Sequence, residues 1–195
     1  MDQTVKEQKQ ALRKQILAQR DALDPRWRAE VSCTFADWAR QVVPEPGVIV
    51  AGYWPMRSEV DVRPLMAAVR DYGARVALPA ILSRTEMIFR EFVPGAPLVD
   101  MGFKTLGPDE NAPAVDPVVL LVPLVGFDAR GHRLGYGAGF YDRAIDVLRG
   151  KGISPRLIGI AFDCQEVEQV PNEPHDVPLP EILTESGLRT FPLSG

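Results

Sequence analysis

Residues 118–143 read VVLLVPLVGFDARGHRLGYGAGFYDR. The first part, Val118 to Val125, is apolar on both of its faces, as a strand covered from both sides requires. Gly135, Gly137 and Gly139 then stand at alternate positions and open directly onto Phe140–Arg149. There Tyr141, Ala144, Ile145 and Leu148 recur at helical spacing. A buried strand that passes through a glycine loop into a helix is the repeating unit of an open α/β sheet. In such sheets ligands sit at the carboxyl ends of the strands.

The flanking sequence extends the same alternation. Val48–Trp54 and Arg75–Pro79 read as strands, and Val62–Tyr72 as a helix between them, closed by Gly73. Met87–Val93 reads as a further strand and Leu157–Phe162 as the last clear one. Upstream, residues 4–23 form an amphipathic pattern with Leu12, Ile16, Gln19 and Leu23 on one side. Asp24-Pro25 supplies an N-cap and a proline at the first helical position. The helix it starts carries Trp27, Val31, Phe35, Trp38 and Val42 in one stripe and stops at Pro44–Gly47. Pro94, Pro97, Pro108 and Pro113 mark residues 94–116 as a long loop region, and the proline-rich tail from Pro171 reads as coil. The predicted fold is α/β: a single three-layer α/β/α sandwich over residues 1–195, with a mostly parallel (mixed), Rossmann-like sheet.

A chain of 195 residues with 46% hydrophobic content fits one domain with a substantial core. Its two cysteines, Cys33 and Cys164, belong to no Cys-x-x-Cys or Cys/His cluster, which argues against a disulfide scaffold or structural zinc and suits a reducing compartment. The N-terminus lacks the apolar segment of a signal peptide, and the longest apolar run, Val118–Phe127, is far short of the roughly 20 residues a membrane helix needs. A cytoplasmic location with no membrane partner is expected. The net charge of −4 disfavours non-specific nucleic-acid binding. Within it, residues 1–28 hold seven basic against four acidic side chains, and residues 129–156 six against two. Two basic segments in an acidic chain point to local anion sites.

The glycine loop admits two readings. Its N–H groups and the helix start could close around phosphate, or the glycines could let a helix pack close to a strand. The spacing is neither Walker A nor Gly-x-Gly-x-x-Gly; the basic surroundings favour phosphate. Asp142, in the first helical turn, suits either dipole-favoured capping or a magnesium ligand. Lys9 and Arg13 share a helix face and are either solvated or a phosphate clamp, should that helix fold over the loop. Glu59, just beyond a strand end beside Tyr53 and Trp54, could take the N–H groups of a heterocycle or serve the next helix as an N-terminal charge. His175-Asp176 reads as a surface turn.

Taken together, Lys-Gln-Ala-Leu-Arg at 9–13, Tyr-Trp-Pro-Met-Arg-Ser-Glu at 53–59, the segment 122–142 and Pro-Asn-Glu-Pro-His-Asp at 171–176 resemble the 5-formyltetrahydrofolate cyclo-ligase family over almost the whole chain. The resemblance implies an ATP- and Mg2+-dependent cyclisation of 5-formyltetrahydrofolate or its polyglutamylated form by a monomer or weak homo-oligomer. It implies that Lys9, Arg13 and Arg133 contact ATP together with Leu134, Gly135, Tyr136, Gly137, Ala138, Gly139, Phe140 and Tyr141. Of these, Lys9, Arg13, Arg133 and Tyr141 would act catalytically. It further implies Asp142 and Asp176 as metal ligands, and Trp54, Glu59 and Phe103 at the folate. Some members carry Arg and Lys between the loop glycines, where this chain has Tyr136 and Ala138, and Phe140 stands where a Tyr often does. A non-catalytic folate- or nucleotide-binding relative is the alternative those changes suggest. A nicotinamide oxidoreductase, with Asp163 as ribose partner, rests only on the glycines.

Overall fold

A computed structural model describes residues 4–102, 104–173 and 176–192. Phe103 and His175 lie outside the described residues. The chain opens with α1 (Val5–Asp21), whose N-cap Thr4 and Glu7 form a reciprocal capping box. Asp24 caps α2 (Pro25–Thr34) by accepting from the Trp27 N–H at 2.9 Å, with proline at the first position as expected. A 3-10 turn, Phe35–Trp38, leads into the short α3 (Ala39–Val42). Then follow β1 (Ile49–Ala51), α4 (Arg63–Asp71), β2 (Arg75–Ile81) and β3 (Met87–Glu91). Next come β4 (Leu98–Asp100), β5 (Leu106–Pro108), β6 (Ala114–Val115) and β7 (Val119–Pro123). The hairpin β8 (Gly126–Phe127) and β9 (Arg133–Leu134) precedes α5 (Phe140–Gly150), β10 (Arg156–Ile160), β11 (Glu181–Thr184) and β12 (Gly187–Thr190).

One sheet has the order β12-β11-β10-β7-β1-β2-β3-β6. Its five central strands are parallel, and β12, β3 and β6 add antiparallel edges. Side chains alternate across it. Val119 and Leu121 of β7 join Leu65, Met66 and Val69 of α4 in one core, whereas Leu120 and Val122 join Ala144, Ile145 and Leu148 of α5 in the other. Helices therefore pack on both faces, and each fully buried Leu or Val contributes about 1.5–3 kcal/mol.

Three segments depart from the sequence reading, the first being the single helix expected from Pro25 to Val42, which the 3-10 turn at Phe35–Trp38 divides. The region 94–116 contains the β4–β5 hairpin and edge strand β6. The tail is likewise not coil: Glu181–Thr184 adds a parallel strand to β10 and Gly187–Thr190 turns back on it. Prolines at 178 and 180 hide a four-residue strand whose Ile182, Leu183 and Thr184 are all buried. Gly159 of β10 admits this tail, since a Cβ there would lie 2.7 Å from Leu179. On α1, Gln19 is exposed and Arg20 takes the buried position, so the inner face runs Lys9, Ile16, Arg20. No helix among the described residues is long and apolar enough to cross a membrane.

Candidate active site

Strand β1 is followed by crossover helix α4 on one face of the sheet, and β7 by α5 on the other. Their neighbouring carboxyl ends mark the point where the winding reverses, the usual ligand position in such sheets. The loop after β1 brings in Trp54 and Glu59, and the hairpin and glycine loop after β7 bring in Arg133 and residues 135–142. Helix α1 does lie across the glycine loop: Arg13 Nε donates to the Gly135 carbonyl at 2.7 Å. A Cβ on Gly126 would come within 2.4 Å of Ile16, so this glycine lets α1 sit down on the hairpin.

Asp128, fully buried, shapes the hairpin. Its carboxylate accepts from the N–H groups of Arg130, His132 and Val170 and from the Arg130 guanidinium, which lowers its pKa despite burial. This fixes Arg133 at the bottom of the site, 9% exposed. Arg133 donates at 2.5 Å to the Val177 carbonyl and at 2.5 Å to Asp142 Oδ1, which also accepts from the Val177 N–H at 3.2 Å. Burial pulls the Arg133 guanidinium pKa down, with the Asp142 and Asp176 charges opposing that shift. Lys9, 8% exposed, donates to Asp176 at 2.6 Å and Glu173 at 2.8 Å. Burial opposes its charge, but these two carboxylates outweigh it and hold the ammonium above its ordinary range. Burial lowers the Arg13 pKa.

The glycine loop is built for backbone approach. Gly137 and Gly139 have φ of +99° and +67°, conformations that side chains rarely adopt, and nothing lies within 4 Å of a Cβ built on Gly135. Gly139 is the N-cap of α5 and offers no side chain to its N–H groups, while Asp142 sits in its first turn. Ala138 and Tyr136 are exposed on the loop, and Phe140 is half-buried under the Arg143 guanidinium at 5.4 Å. Leu134 turns its side chain into the core beside Ile16, Val125 and Val170. The Tyr141 hydroxyl is buried and lacks a hydrogen-bond partner among the described residues; burial raises its pKa.

Beyond β1, Glu59 is 7% exposed. Its Oε2 accepts from the Met56 N–H at 2.7 Å across a turn whose Arg57 has φ of +52°. Its Oε1 accepts from the Tyr136 hydroxyl at 2.6 Å, and burial raises its pKa. Glu59 is thus no helix cap. Trp54 stands half-buried, edge-on to Phe92 at 6.2 Å with Arg63 at 5.2 Å over its ring. Glu59, the glycine loop, Lys9, Arg13, Arg133, Asp142 and Asp176 are therefore linked by hydrogen bonds, ion pairs and the charge of Asp176 acting on Arg13 and Arg133, whereas Trp54 touches Phe92 and Arg63.

Sequence reasoning missed Arg20, Ser58 and Arg143. Arg20 is fully buried; it donates to Ser58 Oγ and the Tyr136 hydroxyl, each at 3.0 Å, and Ser58 in turn donates to Asp21. The spacing of Lys9, Arg13, Ile16 and Arg20 carries the signal, because these positions share one helical face with a buried Ile. The local basic excess at 129–156 is largely internal: Arg130, Arg133, Lys151 and Arg156 pair with Asp128, Asp142, Asp116 and Glu181. Arg143 instead donates to the Thr85 and Ala138 carbonyls, so its charge beside the loop faces no carboxylate in ion-pair range among the described residues.

A sequence model of the 5-formyltetrahydrofolate cyclo-ligase family matches residues 5–185. The 5-formyltetrahydrofolate cyclo-ligase of Escherichia coli is 35% identical over 180 residues, covering 88% of this chain and 97% of that protein. The enzyme of that name from Haemophilus influenzae is 34% identical over 140 residues, 69% of this chain and 74% of its own. Among solved structures, the Aquifex aeolicus 5,10-methenyltetrahydrofolate synthetase superposes with a TM-score of 0.75 at 26% identity, covering 96% of this chain and 94% of that one. The Mycoplasma pneumoniae synthetase gives 0.69 at 29%, covering 89% and 96%. With the sequence model, these relatives and these folds in agreement, the chain belongs to the 5-formyltetrahydrofolate cyclo-ligase family.

Proposed function

We propose that this chain catalyses the ATP-dependent cyclisation of 5-formyltetrahydrofolate to 5,10-methenyltetrahydrofolate, releasing ADP and phosphate. The observation that supports this reading is the hydrogen bond from Tyr136 on the glycine loop to the buried Glu59, which joins the loop proposed for phosphate to the carboxylate proposed for a heterocycle's N–H groups.

A formamide oxygen is a poor leaving group, so the formyl oxygen attacks the γ-phosphorus and ADP departs. N10 then attacks the activated carbon, loses its proton, and phosphate leaves with the former formyl oxygen. Such a sequence needs no protein nucleophile; it needs positioning and charge neutralisation. The N–H groups of Gly135 to Tyr141 and the start of α5 receive phosphate oxygens, with Lys9, Arg13 and Arg133 as the cations. Trp54 and Glu59 hold the pterin; Phe103 is assigned there by resemblance alone.

Magnesium is part of the proposal. The described residues contain no group of three or more His, Cys, Asp or Glu side chains placed to hold a metal. Asp142 and Asp176 would hold the ion together with phosphate oxygens and water, as is common for nucleotide-bound magnesium. When bound, the ion neutralises charge on the transferring phosphoryl group. The cytoplasm as working compartment is supported by two unpaired cysteines, Cys33 being exposed. The test is formation of the methenyl chromophore from 5-formyltetrahydrofolate by the purified chain. Appearance of absorbance only with both ATP and magnesium supports the reading; no change at high enzyme concentration overturns it.

A further inference from the structure

Resting on that reading, we propose that Arg20 recognises the 4-oxo group of the substrate's pterin while Glu59 takes its N–H donors, and that the Tyr136 hydroxyl occupies their place until substrate displaces it.

The argument starts from what Tyr136 does with its one polar atom. The hydroxyl donates to Glu59 Oε1 at 2.6 Å and accepts from Arg20 Nη2 at 3.0 Å. A hydroxyl in that position shows the same face as a lactam edge, a donor beside an acceptor, which in a 4-oxo pterin is N3–H beside the C4 oxygen. Glu59 and Arg20 are both buried, whereas the Tyr136 residue keeps 38% of its surface exposed. The ring therefore stands between solvent and the pair.

Arg20 is also under-used for a buried cation. Its partners are two neutral hydroxyls, Nη1 is buried with no hydrogen bond, and no carboxylate lies in ion-pair range among the described residues. A guanidinium with five donors and an unfilled one is suited to an incoming acceptor. An amino group at position 4 would instead set donor against donor, so the pair selects the oxo form. Because Tyr136 belongs to the glycine loop, its displacement also links pterin entry to the loop's conformation.

The experiment is calorimetric titration of the full chain, without nucleotide, against 5-formyltetrahydrofolate and a 4-amino pteridine folate analogue. Tyr136→Phe removes the competing hydroxyl, which leaves Glu59 and Arg20 short of partners. It is expected to lower the melting temperature of the free protein yet tighten 5-formyltetrahydrofolate binding by about tenfold. A structural tyrosine would lower both. Arg20→Met is expected to erase an oxo-over-amino preference of at least about tenfold. If Arg20→Met does not fold, Tyr136→Phe still decides by the opposite signs of its two effects. Weaker or unchanged folate binding in Tyr136→Phe, or an oxo preference that survives in a folded Arg20→Met, overturns the proposal while the wild-type methenyl assay stands. Loss of the wild-type methenyl product overturns the functional reading and this proposal together.

Discussion

Replacing Asp142 with Asn keeps the shape of the side chain and removes its charge, and the structure sets out two separate consequences. Asp142 is the carboxylate that neutralises Arg133, whose side chain is 5% exposed against 26% for Asp142. Removing one partner of a fully buried pair costs about 3–5 kcal/mol. Asn retains an Oδ1 to accept from both Arg133 and the Val177 N–H, and partial exposure lets water screen the remaining charge. The expected loss is therefore about 1–3 kcal/mol, or about 3–10 °C in melting temperature for a chain of this size. Asp142→Asn thus does not leave folding untouched, as a pure metal ligand would.

The second consequence is catalytic. If Asp142 shares a magnesium ion with ATP, the Asn variant has a lower kcat and needs a higher magnesium concentration for half-maximal turnover. Melting curves and magnesium titrations of the methenyl assay check the two effects independently. An unchanged melting temperature refutes the buried-pair argument. A lower kcat with unchanged magnesium dependence removes Asp142 from the metal site and leaves it as the partner that orients Arg133.

Three further outcomes follow from the same geometry. Burial raises the Glu59 pKa, so the folded state binds that proton more tightly than the unfolded one, and stability falls as pH rises from the ordinary carboxylate range through the raised value. Melting curves of wild type should therefore lose ground to Glu59→Gln as pH increases, while the variant binds folate more weakly and retains ATP binding; parallel curves would show an ordinary carboxylate. Gly137 has φ of +99° with only ordinary contact to Arg13 at 3.5 Å, so Gly137→Ala introduces backbone strain of about 1–3 kcal/mol without a clash. It should raise the KM for ATP and spare folate affinity, and an unaltered KM for ATP counts against the loop as the phosphate site. Tyr141→Phe removes a buried hydroxyl that lacks a partner among the described residues, a group that costs about 1–3 kcal/mol to bury unpaired. The ligand-free variant should melt higher and turn over more slowly, and a lower melting temperature would reveal a partner for that hydroxyl.

The strands and helices that carry strong periodicity, β7, α4 and α5, were legible because both faces of β7 and one stripe of each helix had to meet apolar cores. The tail was not. Strand β11 is four residues long, is bracketed by prolines and a turn, and exists through pairing with β10, which local sequence does not encode. The site was legible in part for a similar reason. Glycines at alternate positions and an acid in the first turn of α5 are local patterns. Arg20 was hidden because a hydrophobic stripe through Leu12, Ile16 and Leu23 draws the eye to Gln19, one position away. Only the stacking of α1 on the hairpin, admitted by Gly126, turns Arg20 inward. Asp128 was hidden too, since its three N–H donors come from a turn and a tail 42 residues downstream.

The charge arrangement of the ligand-free site bears on how it takes up its ligands. Each buried or half-buried cation that the functional reading assigns to phosphate, except Arg13, is already held by a carboxylate: Lys9 by Asp176 and Glu173, Arg133 by Asp142. Glu59, assigned to the pterin, is likewise held by Tyr136. An unpaired buried charge costs several kcal/mol, so a site that must stay folded while empty needs such stand-ins. Exchange with ligand then leaves few charges unmatched. Were phosphate to reach Lys9 and Arg133, two of the acids released, Asp176 and Asp142, would be those proposed for magnesium. As the pterin reaches Glu59, the hydroxyl it displaces is on the phosphate loop. If those roles hold, nucleotide frees carboxylates for the metal and folate frees a hydroxyl on the nucleotide's loop, so the three would bind interdependently through ion pairs and hydrogen bonds already present in the empty site.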